Sequence, residues 1–134
     1  MRDLEQARIL LTMARKDRKA LVAMSDPKKF PEEIFGFHVQ QAVEKTLKAW
    51  LCCVGAAFPK IHDLEELAAL LDQAHQELPT QFAELLDYTD FAVMFRYEAF
   101  SELEVGIDRE RTIVLVEELV HHVAQMFHEA ETAQ

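Results

Sequence analysis

The sequence predicts an all-α fold, an up-and-down bundle of four to five helices forming one domain over residues 1–134. Three observations lead there. With three Gly and four Pro, 50% hydrophobic and 28% charged residues, the chain has little turn material and favours long helices over many short strands. Apolar residues recur at three- and four-residue steps in successive segments separated by Pro- or Gly-containing breaks. A chain of 134 residues can also bury one core without disulfides or a structural metal. Cys52 and Cys53 are adjacent, point in different directions on a helix, and are expected as two reduced thiols.

The first helix is expected from about Asp3 to Met24, where Leu4, Ala7, Leu11, Ala14, Leu21 and Met24 keep a helical period. Arg15, Lys16, Arg18 and Lys19 form a basic cluster on it, read as a solvated face or a phosphate-facing one. Ser25-Asp26-Pro27-Lys28-Lys29 reads as a turn, and Pro31 suits the first position of the next helix, followed by Glu32 and Glu33 at the positive end of its dipole. This central helix should run to about Val54 and stop at Gly55. Phe35, Val39, Ala42, Val43, Thr46, Leu47, Trp50 and Cys53 give it a buried face, while His38, Gln41, Lys45 and Lys48 form a polar, partly cationic stripe.

Pro59 makes a loop of the stretch from Ala56 to His62. Asp63 and Glu66 have capping-box spacing, and Leu64, Leu67, Ala68, Leu71 and Ala74 carry a third helix to near His75. A fourth is expected from Pro79-Thr80 to Arg96 or Tyr97 through Phe82, Leu85, Leu86, Thr89, Ala92, Val93 and Phe95. Between Tyr97 and Asp108 the period weakens and acids gather around Gly106, which reads as an acidic loop. The last helix, from about Asp108 to Glu131, has an apolar stripe wide enough for the bundle and a second copy of the chain.

The net charge of −10 argues against unspecific binding to nucleic acid, where Lys and Arg contacts to phosphate supply most of the affinity. The charge is uneven: residues 1–60 carry +4 and residues 61–134 carry −14, so a basic face on an acidic body fits. No apolar run approaches the ~18 residues of a membrane helix, and the segment after Met1 does not resemble a secretion signal. A soluble cytoplasmic protein without a membrane role is expected.

No Gly-rich phosphate loop, Gly-x-Ser-x-Gly elbow or Cys-x-x-Cys pair occurs, and no cofactor is expected. Glu118 and His121 have the Glu-x-x-His spacing of helical-bundle metal sites, but such sites need a second copy and further Glu, so no metal is expected. His62-Asp63 can be read as an acid–base pair, although Asp63 is better explained as a helix cap. Arg96 is the only cation between Lys60 and Arg109, suited either to pairing with neighbouring acids or to a functional contact.

The run from Phe37 to Ala49, with its core Gln40-Gln41-Ala42-x-Glu44-Lys45-x-Leu47-Lys48-Ala49, then Phe58-Pro59-Lys60-Ile61-His62-Asp63-Leu64 and Arg96-Tyr97, resembles the HEPN domain family over nearly the whole chain. The resemblance implies a helical bundle that commonly homodimerises and is often encoded beside a minimal nucleotidyltransferase in toxin–antitoxin-like modules. The Gln-Gln-Ala-x-Glu-Lys subset is nucleotide-binding. The family's active RNases carry an Arg followed four to six residues later by a His, but Phe100, Ser101 and Glu102 stand at those distances from Arg96. The resemblance therefore implies binding of a nucleotide or RNA phosphate by Lys45, Lys48, Arg96, Tyr97 and Gln41. A metal-independent endoribonuclease, drawing on Arg96, His62 or His38, is the alternative, and a purely structural dimerisation module is the third reading.

Overall fold

The computed structural model describes residues 2–92 and 106–133. Among them the elements are α1 (Leu4–Ala23), α2 (Glu32–Val54), α3 (Leu64–Gln73), a 3-10 helix η1 (Thr80–Tyr88) and α4 (Arg109–Thr132), with no strand, so the all-α expectation holds. Each α-helix starts where local chemistry allows. Asp3 accepts from the Gln6 N–H, Asp63 from the N–H groups of Glu65 and Glu66, and Asp108 from that of Arg111, each satisfying amides that have no partner inside the helix. Pro31 sits one position earlier than expected, as the cap residue of α2, with Glu32 and Glu33 in the first turn. Gly55 ends α2 at φ 76°, in the left-handed region, and its N–H reaches back to the Cys52 carbonyl.

α1, α2 and α4 form the centre of the bundle. The Asp3 N–H donates to the Cys52 carbonyl, so the start of α1 lies beside the end of α2. The other end is closed by Arg109, whose guanidinium donates to the carbonyls of Met24 and Phe30, both at 2.7 Å, and lies over the Phe35 ring at 4.9 Å. Thus α1 runs antiparallel to both α2 and α4. Leu11, Leu21, Phe35, Leu47, Trp50, Leu51 and Leu119 are among the largest fully buried side chains, and the Trp50 indole N–H donates to the Gln76 side chain. Cys52 and Cys53 are free and buried.

The expected fourth helix begins differently. Over Thr80–Tyr88 the chain is a 3-10 helix, followed by a helical turn from Thr89 to Ala92. Phe82, Leu85 and Tyr88 recur every three residues, and three residues per turn stacks them on one side, with Phe82 and Leu85 buried. Leu64 N–H donates to Thr89 Oγ1 and fastens this segment to the start of α3. α3 stops at Gln73, slightly earlier than expected, because His75 turns left-handed at φ 60°. Arg96, Tyr97 and most of the expected acidic loop lie outside the described residues. Among the described residues, no helix is long and apolar enough to cross a membrane.

One close approach sets the path of the chain after η1. Phe91 packs so near α2 that a Cβ at Gly36 would lie 2.2 Å from its ring. Only a residue without a side chain leaves room for that ring.

Candidate functional site

The polar stripe of α2 is engaged from end to end. On α1, Asp17 stands between two of its members: Oδ1 is 3.3 Å from His38 Nδ1, and Oδ2 accepts from Lys45 Nζ at 2.8 Å. On α2, one residue before Lys45, Glu44 is buried and receives Lys48 Nζ at 3.0 Å and Gln40 Nε2 at 2.8 Å. Its two oxygens also lie 3.0 and 3.1 Å from His62 Nδ1. Gln40, with no solvent exposure, donates in addition to the His62 carbonyl and accepts from Gln41 Nε2 at 2.7 Å. The loop before α3 is thereby pinned to α2 by both the backbone and the side chain of His62.

The electrostatics follow from these pairs. Two carboxylates, Asp17 and Glu44, face two ammonium groups, Lys45 and Lys48, all four mostly sheltered from solvent. A buried carboxylate needs such partners, since desolvating it alone is costly. Lys48 also lies over the Phe58 ring at 5.8 Å. The imidazole of His62 differs from the rest, with 67% of its side chain exposed. With Nδ1 against Glu44, the neutral ring carries its proton there and turns the basic Nε2 outward. Such a group can accept a proton from a bound molecule, and the two lysines keep N–H donors beyond those taken by carboxylates.

Of the residues singled out in the sequence, the structure brings Gln41, Lys45, Lys48, His38 and His62 into this one seam, while Arg96 and Tyr97 lie outside the described residues. Asp17, and the burial of Glu44 with Gln40, are new. Asp17 sits within the basic cluster of α1, yet Ala14 and Leu21, at three- and four-residue steps from it, are fully buried. Gln40 and Glu44 stand on a face with Leu47 and Leu51, both fully buried. In each case a polar residue in register with a core stripe is the signal that identifies it.

The sequence model of the family described as HEPN domain matches residues 7–132. The chain belongs to that family. No curated protein and no solved structure matches it.

In this HEPN domain, Glu118, His121 and His122 line a second, more apolar cleft of about 400 Å³ with Pro79, Gln81, Phe82 and Gln125. His122 turns its ring edge toward Trp50, at 5.1 Å between centroids, so it belongs to the aromatic packing around α2. Among the described residues, no three His, Cys, Asp or Glu side chains are grouped to hold a metal ion. The Cys52 and Cys53 thiols are each pushed up to about 11, first by burial, which disfavours the thiolate.

Proposed function

We propose that this HEPN domain binds a phosphate of a nucleotide or RNA along the α2 seam, as the binding component of a toxin–antitoxin-like module with a nucleotidyltransferase. The observation that supports this reading best is the fixing of Lys45 and Lys48 on one side of α2, each by one half-buried or buried carboxylate. An ammonium held this way loses little further freedom when it meets a phosphate, and it has donors to spare. Gln41 adds an amide beside them, and the resemblance adds Arg96 and Tyr97 to the proposed binding residues. The domain works in the cytoplasm as a homodimer, a state supported by the wide apolar stripe of α4, on which Ile113, Met126 and Phe127 remain only partly buried.

Titration of fluorescent ATP and of a short RNA into the purified domain tests the binding reading. Wild type is expected to saturate, and Lys45→Ala with Lys48→Ala to weaken both ligands by about tenfold or more; equal affinities would sink it. Co-expression with a neighbouring nucleotidyltransferase, followed by size-exclusion chromatography with light scattering, tests both the partner and the dimer.

A second reading, a metal-independent endoribonuclease, is favoured by the Glu44–His62 pair. His62 Nε2 would take the proton of a ribose 2′-hydroxyl, its oxygen would attack phosphorus, and the departing 5′-oxygen would take a proton from water. Cleavage of RNA in EDTA that disappears in Arg96→Ala and in His62→Asn supports this reading. Absence of cleavage by folded wild type removes it.

A further inference from the structure

On the flank of α1 that meets α4, away from Asp17, a cleft of about 250 Å³ is lined by Arg15, Arg18, Glu117, Val120, His121 and Ala124. We propose that this cleft is a second ligand site, one that takes the dianionic head of a phosphate monoester. The proposal goes beyond the α2 seam and uses none of its residues.

The argument rests on what surrounds the cleft. Two guanidinium groups, three residues apart on α1, project along one side, and the exposed imidazole of His121 stands on the other. Arginine presents planar N–H forks that match a phosphate's oxygens, and the His121 imidazole, whose Nε2 accepts from Gln125 Nε2 at 3.3 Å, keeps its Nδ1–H as a donor from a different direction. Val120 and Ala124 line it with apolar surface, which keeps water from filling every face of the space. Both guanidinium groups lie on the half of the chain with positive balance, while the rest of the molecule repels anions.

Glu117 is the carboxylate among the lining residues, and it marks where an anion sits. Its Oε1 accepts from Arg18 Nη1 at 3.2 Å through a single contact, with the two side chains 42% and 33% exposed. A solvent-exposed, one-point pair of this kind contributes little and is easily exchanged. Among the described residues Arg15 has no ion-pair partner at all. A phosphate dianion entering the cleft therefore replaces one weakly held carboxylate and gains a second guanidinium. A monoester carries its ester group toward the apolar lining, which inorganic phosphate leaves empty.

The test is a series of amide NMR titrations at constant ionic strength with inorganic phosphate, AMP and adenosine. Phosphate and AMP are expected to shift amides of residues 15–19 and 117–124 saturably, with AMP the tighter, and adenosine to shift none of them. Arg15→Ala combined with Arg18→Ala should weaken both by about tenfold, and Glu117→Gln should tighten them by removing the competing carboxylate. Lys45→Ala with Lys48→Ala should leave these shifts unchanged, which separates this site from the α2 seam. Unsaturable shifts spread over every basic segment, or affinities indifferent to the arginine pair, overturn the proposal. The arginine and Glu117 substitutions fall on exposed or half-exposed side chains, and circular dichroism confirms that each variant, the one at the sheltered Lys45 and Lys48 included, keeps its helices.

Discussion

Glu44 Oε1 lies 3.0 Å from His62 Nδ1, with the carboxylate buried in α2 and the imidazole largely in solvent. The two partners therefore depend on the contact unequally. Glu44 also holds Gln40 and Lys48, so its removal strands several polar groups, whereas removing the imidazole strands none of them.

The first prediction follows from that asymmetry. Glu44→Ala is expected to lower the free energy of unfolding by about 2–4 kcal/mol, because it leaves Lys48 and the fully buried Gln40 amide without their carboxylate. His62→Ala is expected to cost about 1 kcal/mol or less. Urea unfolding followed by circular dichroism measures both; similar losses for the two would contradict the buried-hub role of Glu44.

Asp17 gives a second, on the other half of the seam. It bridges His38 and Lys45, both half-buried, so a double-mutant cycle of Asp17→Asn with Lys45→Met should show a coupling of about 1 kcal/mol. Substitution of Arg15 in place of Lys45 should show no coupling to Asp17. A zero value for the Asp17–Lys45 cycle would mean that the pair is only a neighbourly arrangement of two solvated charges.

Gly36 tests the packing of the chain after η1. Ala at this position drives a methyl group into the Phe91 ring and is expected to destabilise the domain by about 1–3 kcal/mol, through overpacking. Gly106→Ala is the control, since its nearest new neighbour would be the end of the Glu32 side chain at 3.4 Å. The two melting temperatures should separate clearly; identical shifts would show that Phe91 does not hold its place against α2.

The thiols make a pH-dependent prediction. Cys52 and Cys53 have native values of about 11, against 9.0 for an unperturbed thiol, so the native chain holds these protons where the unfolded chain has released them. Between about pH 9 and 11 stability should therefore fall as pH rises, and below pH 9 the two thiols should contribute no slope. Comparing wild type with a Cys52→Ala, Cys53→Ala variant over that range isolates the effect. In the same protein, iodoacetamide at pH 8 should modify the native thiols about a hundredfold more slowly than the urea-unfolded ones.

Much of the fold was legible because its signals are local. The Asp63 cap, the start of α4 near Asp108, the left-handed Gly55 and the periods of α1, α2 and α4 depend on residues a turn or two apart, and all appear near their expected places. The segment after Pro79 misled because Phe82, Leu85 and Tyr88 satisfy a three-residue period as well as part of a 3.6-residue one, and only packing against the core decides between them. At the seam, the cations were visible as a stripe on one helix, and Glu44 stands four residues before Lys48 on that helix, but the carboxylate facing Lys45 and the imidazole facing Glu44 were not visible. Asp17 reaches Lys45 across 28 residues of sequence and His62 reaches Glu44 across 18, distances over which a pattern on one helix carries no information.

Arg109 gives the bundle a particular order of assembly. Its guanidinium closes contacts with carbonyls 85 and 79 residues earlier in the chain, and α4 then covers the faces of α1 and α2 left open until it docks. Closure of so long a loop is slow compared with pairing α1 and α2, whose connection is a short turn. During synthesis, a chain that has emerged only as far as η1 presents the apolar surface of α1 and α2 that α4 covers in the bundle to whatever meets it at the ribosome. The docking of α4 is thus what ends this bundle's exposure to chaperones and proteases.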